Sequence, residues 1–325
     1  MKSLTLLLAE QKFLDVKSGP LRRWLTLGDR VEAAKPGRES QLRAHFEFHG
    51  PALPIAALTR SVDANDADSA QWLRCDPAYV MADALTLRLI ACGDLQLSAD
   101  EVEELVRVLK PLFGDAGFPL EATRADRWHL RCPREAKLPH FSDPADALGD
   151  DLGQHLPEGD NARQWRSLLN EAQIALTQHP LNALRVQRGL PPVNSVWFWG
   201  AGVLPQWVRC PFSSVQSNDE IVMALSSLAK TPSFPRKPES SFSEVVGTKL
   251  DSGSRRNDEQ NKTPSILIDL ADQRKAAALE GGWLGPIDVL LAKRKLEAVH
   301  LHFLDGERAT YKPAHRWRFW RRVKS

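Results

Sequence analysis

Short apolar runs alternate with amphipathic stretches along this chain, and this order predicts a mixed α/β fold. Each run is bounded by charged or turn-forming residues, as is typical of buried strands. We predict strands over residues 4–9, 85–90, 127–132, 195–199 and 266–268. Helical patterns lie between them, so we expect a mixed sheet with flanking helices.

The helix with the strongest sequence signal lies between the second and third of these strands. Ser98 and Glu101 form a capping box, which marks a helix start. An apolar stripe at helical spacing follows, and Pro111 and Gly114 predict where the helix ends. A strand, a helix and a returning strand with short links are typical of a βαβ or split βαβ unit.

Two further helices are predicted nearer the middle of the chain. Residues 161–178 carry apolar residues at helical spacing around Trp165. Ser217 and Glu220 indicate a second capping box, for a helix that runs through Leu228.

Residues 179–202, HPLNALRVQRGLPPVNSVWFWGAG, form the most distinctive stretch. Pro180 suits the first turn of a short helix, and Gly189 suits its end. The Leu-Pro-Pro that follows cannot continue a helix, and the next apolar residues predict a central strand. Gly200 and Gly202 then predict a sharp turn that lets the backbone approach a ligand or a neighbour closely.

The C-terminal region predicts a helix, a hairpin and a basic tail. The helical pattern over residues 276–295 is broken by glycines. Asp305 and Gly306 join two strand patterns, 298–304 and 307–312, which is a strong hairpin signal. The tail, AHRWRFWRRVKS, interleaves arginines with aromatic residues. We favour a last edge strand there; the alternative is a surface that stacks on single-stranded nucleic acid.

Composition excludes few classes of protein. The hydrophobic fraction of 42%, the charged fraction of 26% and the net charge of +2 are ordinary for a globular protein and give no strong attraction to nucleic acid or membrane. None of the four cysteines form a Cys-x-x-Cys pair, which argues against a zinc ribbon and indicates free thiols in a reducing compartment. The apolar run at the N-terminus ends at Glu10, too early for a secretory signal. We therefore expect a cytoplasmic protein without membrane contact.

Residues 231–264 break the hydrophobic pattern. They are rich in Ser, Pro, Gly and charge, so they predict a disordered loop insertion. The expected organisation is an N-terminal segment of the core over 1–69 and an α/β subdomain over 70–132. The remainder of the core is expected over 133–230 and 265–325.

Familiar catalytic motifs are missing from the sequence. It contains no P-loop, no dinucleotide-binding glycine motif, no nucleophile elbow and no His-Glu-x-x-His. Two acidic stretches are better interpreted as solvated: a linker with Asp63, Asp66 and Asp68, and a loop over 133–158 held to the core by leucines. The pair His300 and His302 is interpreted as exposed strand histidines. We predict no metal site and no cofactor.

Two blocks carry a resemblance to known proteins. They are CDPAYVMADALTLRL with the helix and strand after it, and HPLNALRVQRGLPPVNSVWFWGAG. Together they resemble the RpfE-type regulatory proteins of the xanthomonads and, more distantly, the archaeal-type cofactor-independent phosphoglycerate mutases. The resemblance implies part of an alkaline-phosphatase-like scaffold. The metal ligands of the mutases lie in flanking segments that are not recognisable here.

The resemblance also implies a set of candidate ligand-binding residues, which are His179, Asn182, Arg185, Asn194, Gly200 and Gly202. The favoured function is a non-catalytic regulatory protein that binds a small phosphorylated metabolite or a protein partner. One alternative is a metal-dependent phosphomutase or phosphatase with ligands among Asp143, Asp146, Asp150 and Asp151. The other is nucleic-acid binding through the tail, which the low net charge disfavours.

Overall fold

The computed structural model describes residues 3–14, 19–50, 52–67, 70–83, 86–234, 265–273, 279–318 and 320–321. In chain order its strands are β1 (Ser3–Leu8), β2 (Asp29–Val31), β3 (Glu47–Phe48), β4 (Gln71–Ala82), β5 (Leu87–Cys92), β6 (Leu120–Arg124), β7 (Arg127–Cys132), β8 (Ser195–Val203), β9 (Val208–Arg209), β10 (Ser214–Gln216), β11 (Ser233–Phe234), β12 (Ser265–Leu270), β13 (Ala298–Phe303) and β14 (Arg308–Tyr311).

Its α-helices are α1 (Gly19–Leu27), α2 (Arg38–His45), α3 (Ile55–Asp63), α4 (Ala99–Asp115), α5 (Pro144–Ala147), α6 (Ala162–Thr177), α7 (Leu181–Gln187), α8 (Glu220–Leu228) and α9 (Gly285–Ala292). Short 3-10 helices lie at Gln11–Phe13, Leu152–His155 and Pro313–Trp317, and a π-helical turn lies at Glu280–Leu284. The expected mixed α/β class is confirmed, as are all five predicted strands, with bounds shifted by a few residues at most.

The chain divides into two units. Unit 1 comprises Met1–His49 and Trp207–Ser325, and unit 2 comprises Gly50–Gln206. These bounds differ from those expected at 69/70 and 132/133. The difference arises because β8 pairs with β4 over most of its length, which adds residues 195–203 to the same sheet as residues 71–82.

Unit 1 contains a seven-stranded sheet in the order β11-β10-β12-β1-β13-β14-β2. The strands from β11 to β13 are parallel to one another, and β14 is antiparallel to both of its neighbours, β13 and β2. β1 lies at the centre, with Ser3 opposite both Ser265 and Ala298. This position explains the continuous apolar run of β1, because a central parallel strand is buried on both faces. The C-terminal hairpin, β13 and β14, is confirmed.

Unit 2 contains a sheet in which β4 pairs with β5, β7 and β8, and β6 pairs with β7. Each of these ladders is antiparallel. The two predicted strands, β5 and β7, are each antiparallel to β4, so they are parallel to each other with β4 between them, as in the predicted split βαβ unit. The hairpin partner β6, which lies between α4 and β7 in the chain, was not predicted.

Helix α4 keeps its predicted start, and its end lies within one residue of the predicted stop at Gly114. The capping box of Ser98 and Glu101 is present. The helix continues past Pro111 and Gly114 to Asp115. Phe113 lies beyond the proline and is fully buried, so core packing on this last turn outweighs the cost of the proline.

Helix α8 ends at Leu228 as predicted, but its cap is Asp219. The carboxylate of Asp219 accepts hydrogen bonds from the backbone N–H groups of Ile221, at 2.8 Å, and Val222, at 3.1 Å. The predicted capping box of Ser217 and Glu220 is wrong, because the Ser217 hydroxyl donates instead to Asp269.

The predicted break in the helical region 276–295 is also wrong. A π-helical turn covers Glu280–Leu284, and α9 follows it directly. Trp283 and Leu284 are buried in the core of unit 1, which holds this turn in place despite its glycines. Pro286 lies in the first turn of α9, where its missing N–H costs nothing.

The tail does not form the predicted edge strand. Residues Pro313–Trp317 form a 3-10 helix. Arg318 Nη1 donates to Asp29 Oδ1 and to the Leu27 carbonyl, and Arg321 donates to the Gly28 carbonyl. These bonds attach the tail to the turn after α1.

The first predicted solvated stretch is solvated only in part, because residues 64–66 are exposed and the Asp63 side chain is buried. Asp63 ends α3 with its side chain only 3% exposed, and one carboxylate oxygen lies 3.3 Å from Arg127 Nη2. Asp66 forms two hydrogen bonds with Arg60. Asp68 lies outside the described residues, as does most of the insertion predicted over 231–264. Of that insertion, Ser233–Phe234 pairs with β10.

Candidate functional site

Polar residues collect where the parallel strands of unit 1 end. Asp269 lies near the end of β12, Ser217 and Asp219 follow β10, and Leu304 follows β13. Because these strands are parallel, their carboxyl ends meet at one edge, where open α/β sheets bind ligands. A cavity of about 290 Å³ opens there, which we call the strand-end cavity. Its lining residues are Arg38, Asn218, Asp219, Asp269, Ala271, Asp272 and Leu304.

Arg38, the first residue of α2, bridges two carboxylates in this cavity. Its Nη2 lies 2.6 Å from Asp219 Oδ2 and 3.0 Å from Asp269 Oδ2. Its Nη1 is buried and has no hydrogen-bond partner among the described residues. A buried guanidinium nitrogen without a partner costs free energy.

Asp269 is held by further hydrogen bonds. The Ser217 hydroxyl donates to its Oδ2 at 2.8 Å, and the Ala271 backbone N–H donates to its Oδ1 at 3.1 Å. Asp219 N donates to the Ser217 hydroxyl at 2.9 Å. The end of β12 and the start of α8 are thus joined through one serine.

Both members of the central ion pair are charged at neutral pH. Burial lowers the pKa of Arg38, but the charges of Asp269 and Asp219 outweigh this effect and raise it. Burial raises the pKa of Asp269, but the Arg38 charge together with the hydrogen bonds from Arg38, Ser217 and the Ala271 N–H outweighs this effect and holds the pKa below its ordinary value of 3.8.

The donor set of the strand-end cavity does not fit a divalent metal ion. Two carboxylates could ligate such an ion, but the Arg38 guanidinium bridges them and neutralises their charge. Across the described ranges, no three His, Cys, Asp or Glu side chains are grouped so that they could hold a metal. Among the residues that the structure describes at this edge, the metal centre that the resemblance to mutases implies finds no group of three ligands.

A neutral histidine pair lies in the same unit. His45 Nε2 and His302 Nδ1 are 3.2 Å apart, and His45 is only 2% exposed. Burial lowers the pKa of His45 to about 4 and that of His302 to about 3, with Arg308 adding to both shifts. His300 Nδ1 lies 2.9 Å from the Thr310 hydroxyl. The prediction of an exposed histidine pair is therefore wrong.

The candidate residues predicted from the sequence lie in unit 2, and Asn182 is bonded entirely to backbone. Its amide nitrogen donates to the carbonyls of Leu176, at 2.8 Å, and Val193, at 2.9 Å. Its oxygen accepts from the Val193 N–H at 2.8 Å. Asn182 therefore fastens α7 to the residues around it.

Arg185 is completely buried. Its Nη1 lies 2.6 Å from Glu101 Oε2. The other guanidinium nitrogens donate to the carbonyls of Leu95, at 2.5 Å, and Pro191, at 3.0 Å. The guanidinium thus connects α7 to the N-terminal end of α4.

Asn194 and His179 also bond to backbone. Asn194 Oδ1 accepts from the Val80 N–H at 2.8 Å, and its Nδ2 donates to the Val80 carbonyl at 2.7 Å. His179 Nδ1 accepts from the Leu181 N–H at 3.3 Å. The Asn194 side chain thus extends the hydrogen-bond ladder between β4 and β8 by one residue, because it bonds to the backbone of β4.

Gly200 and Gly202 lie inside β8, so the predicted sharp turn is wrong. Gly200 has φ of +66°, beside the register shift in the β4–β8 ladder. A Cβ at Gly202 would lie 2.4 Å from Pro54 Cβ. The glycines therefore allow a bulge and a close approach of the start of α3, as is common for strand glycines.

These contacts give the six predicted residues structural roles. Their predicted role in ligand binding is not tested by the contacts and stays a prediction.

In the acidic loop of unit 2, over residues 133–158, carboxylates bond to nearby groups of the same loop. Asp143 and Asp151 cap short helices by accepting from the N–H groups of Ala145 and Gly153. Asp150 Oδ2 lies 3.1 Å from His155 Nε2. Leu148, expected to hold the loop to the core, is 48% exposed, whereas Leu152 is buried.

Sequence reasoning missed the residues of the strand-end cavity. None of Arg38, Asp219 and Asp269 was predicted from the sequence as a site residue. A usable signal was present: Asp269 follows the apolar ILI of β12 near a strand end. Its partners are remote in sequence, 231 and 52 positions away for Arg38 and Ser217, so pattern alone could not connect them.

Comparison with known proteins gives a consistent direction. No family model matches the chain. The chain is similar to phosphoglycerate mutases. A probable 2,3-bisphosphoglycerate-independent phosphoglycerate mutase of Geobacter sulfurreducens is 28% identical over 154 residues, which are 47% of this chain and 38% of that protein. The 2,3-bisphosphoglycerate-independent phosphoglycerate mutase of Methanothrix thermoacetophila is 39% identical over 66 residues, 20% of this chain and 17% of that protein.

A solved structure, the cofactor-independent phosphoglycerate mutase from Thermoplasma acidophilum, aligns with 96% of this chain and 90% of its own at 16% identity and a TM-score of 0.44. In sequence, this chain matches well under half the length of the two mutases named above. The distant similarity to this family, predicted from the sequence, is supported. Separately, no helix within the described ranges has both the length and the apolar character needed to cross a membrane.

Proposed function

We propose that this chain is a non-catalytic relative of phosphoglycerate mutases that binds a small polar ligand in the strand-end cavity. One observation carries the proposal: Arg38 bridges Asp219 and Asp269 where a catalytic metal ion would need free carboxylates. A fixed internal cation supplies charge balance but cannot act as an exchangeable Lewis acid.

The charges of the cavity favour a ligand that donates hydrogen bonds. Three aspartates, Asp219, Asp269 and Asp272, line it beside one arginine. Carboxylates accept hydrogen bonds and repel anions. The phosphorylated metabolite predicted from the sequence would therefore present hydroxyl or amino groups to the aspartates and direct its phosphate away from them.

A regulatory role like that of RpfE-type proteins, and a cytoplasmic location, belong to the same proposal. A protein that binds a metabolite without turnover is suited to sensing it. The four cysteines are free thiols, which supports a reducing compartment. The predicted protein partner remains a proposal as well.

The test combines ligand binding with metal affinity. Thermal unfolding is followed with glucosamine 6-phosphate, glucosamine, glucose 6-phosphate and inorganic phosphate, so that amine and phosphate are varied separately. We expect the amine-bearing compounds to stabilise the wild type, and to stabilise the Arg38→Met variant more strongly, because two of its carboxylates no longer pair with a guanidinium. We also expect Arg38→Met to gain stabilisation by Mn²⁺ that the wild type lacks, since its two carboxylates are then free. If each compound and Mn²⁺ stabilise the wild type and the Arg38→Met variant equally, the proposal is refuted.

A metal-dependent phosphomutase or phosphatase is the second candidate, favoured by the similarity to the Geobacter sulfurreducens protein. Its test is metal analysis of the purified protein, with phosphoglycerate isomerisation and phosphate-ester hydrolysis measured in added Mn²⁺ or Zn²⁺. Stoichiometric metal together with turnover would replace the non-catalytic proposal.

Nucleic-acid binding through the tail is a third candidate, supported by the exposure of its aromatic residues. Trp317 is 64% exposed and Trp320 is 66% exposed. Arg316 lies 4.8 Å from the Trp317 ring centroid. Salt-dependent binding of single-stranded oligonucleotides, lost in a Trp317→Ala and Trp320→Ala double variant, would support this candidate.

A further inference from the structure

A groove in unit 2, between α4 and β6, contains none of the candidate site residues already discussed. Its volume is about 590 Å³, within the range of small-molecule sites. We call it the α4–β6 groove. Its lining residues are Ala99, Val102, Glu103, Val106, Arg107, Lys110, Pro111, Ala122, Thr123, Arg124 and Ala125.

The groove exists because α4 has two faces and the facing strand has small residues. One face of α4 packs into the core, where the side chains of Leu105, Leu109 and Phe113 are fully buried. The residues that line the groove recur at positions 99, 103, 106, 107 and 110, which form a neighbouring stripe of the same helix. Across the groove, Ala122 and Ala125 have side chains too short to fill the space, so an apolar floor stays open.

The rim of the groove is mainly basic. Arg107 and Lys110 lie one turn apart on α4, and neither has an ion-pair partner among the residues that the structure describes. Arg124, on the opposite side, pairs with Asp126 at 3.1 Å. Glu103 is the one carboxylate among the lining residues. The result is an apolar floor beside two uncompensated cations.

We propose that the α4–β6 groove binds a small amphipathic anion. An apolar body would cover Val102, Val106 and Ala122, and an acidic head group would lie near Arg107 and Lys110. Charge complementarity selects the head group, and the apolar floor selects the body. This inference is independent of the ligand proposed for the strand-end cavity, because it uses none of the same residues.

A peptide strand added to β6 is a less suitable occupant. β6 has only five residues, and its pairing with β7 shifts register between Ala122 and Arg124. Short, bulged and charged edges hinder the addition of another strand. A small molecule needs none of the backbone groups of β6.

The experiment uses a fluorescent probe with this chemistry. 8-Anilinonaphthalene-1-sulfonate is an aromatic anion, and N-phenyl-1-naphthylamine is its neutral counterpart. Both are titrated into the folded full-length chain and its variants, and circular dichroism and thermal unfolding verify that each variant is folded. We expect saturable binding of the anion, about tenfold weaker in the Arg107→Glu and Lys110→Glu double variant. Binding of the neutral probe should change less than about twofold in that variant.

Two further variants separate the groove from other surfaces. Ala122→Leu should weaken binding of both probes, because the larger side chain fills the floor. Arg163→Glu reverses an exposed arginine on α6, in the same unit, and should leave both affinities unchanged. Equal binding of the anion by the wild type, the double variant and Ala122→Leu would overturn the proposal. The proposal would also be overturned if the double variant lost as much affinity for the neutral probe as for the anion, because the groove would then suit an uncharged occupant.

Discussion

The two units use polar residues in opposite ways. In unit 2, Asn182, Arg185 and Asn194 are bonded to backbone carbonyls, backbone N–H groups or Glu101. In unit 1, the charged groups of Arg38 and Asp269 line an open cavity, and one guanidinium nitrogen has no partner among the described residues. The conspicuous residues of the sequence thus hold the fold of unit 2, and the inconspicuous ones form the candidate site of unit 1.

This difference shows what a distinctive motif can mean. An asparagine side chain that bonds to backbone groups restricts the choice of residue at its position as strictly as a ligand does. A glycine that allows close packing has the same effect. A motif of this kind predicts local structure well. The site depends on residues far apart in sequence, which leave no local pattern.

The largest expected effect concerns the buried ion pair of unit 2. Arg185→Met should lower the free energy of unfolding by about 3–5 kcal/mol, because it leaves the Glu101 carboxylate buried without its closest cation. Denaturant unfolding measures the change. If Arg185→Met proves as stable as the wild type, the structural role described here is wrong and the ligand role predicted from the sequence gains support.

The matched control is Arg188→Met. Arg188 faces the same carboxylate at 3.5 Å, but its side chain is 61% exposed. An exposed ion pair contributes about 0–1 kcal/mol. The two variants therefore compare a buried and an exposed arginine on one carboxylate.

The second prediction concerns the histidine pair of unit 1. Its pKa values in the folded protein, about 4 for His45 and about 3 for His302, lie below the ordinary 6.5. Between pH 6.5 and these lower pKa values, the unfolded chain binds more protons than the folded protein. The free energy of unfolding therefore has its full value above pH 6.5 and falls as the pH decreases. For His45 alone the loss between pH 6.5 and pH 4 is on the order of 3 kcal/mol.

The test compares the free energy of unfolding of the wild type and of a variant from pH 7 to pH 4. The His45→Gln and His302→Gln double variant should have a flatter profile than the wild type. His49→Gln changes an exposed histidine and serves as the control. A double variant with the wild-type slope would show that other groups, such as the buried His129 of unit 2, dominate the acid sensitivity.

The third prediction concerns the close approach at β8. Gly202→Ala should cost about 1–3 kcal/mol, since its Cβ would lie 2.4 Å from Pro54 Cβ and 2.9 Å from Pro54 Cα. Gly114→Ala is the control, because nothing lies within 4 Å of the added Cβ and alanine favours a helix. It should raise stability by up to about 1 kcal/mol. Similar effects of the two substitutions would contradict tight packing at Gly202.

The smallest expected effect concerns the cap of α8. Asp219→Ala should cost about 1 kcal/mol through the lost hydrogen bonds to the helix start. Asp219→Asn keeps an acceptor there and should stay within about 0.5 kcal/mol of the wild type. Thermal unfolding separates the two. If asparagine costs as much as alanine, the charge of Asp219 toward Arg38 contributes the stability, and the cap does not.

Much of the fold followed from local patterns. The apolar run at β1, the capping box at Ser98 and the Asp305-Gly306 hairpin were all predictable. In two places packing overrode local propensity. α4 continues past Pro111 because Phe113 is buried, and the π-helical turn before α9 persists because Trp283 is buried.

The sequence by itself determined which segments become helices and strands, because apolar periodicity and capping act over a few residues. It also indicated the distant relation to phosphoglycerate mutases. Only the tertiary structure decided strand direction in unit 2, the continuation of β8 through its glycines, and the meeting of Arg38 with Asp219 and Asp269. These features depend on contacts between residues far apart in the chain, and no local pattern of residues specifies such a contact.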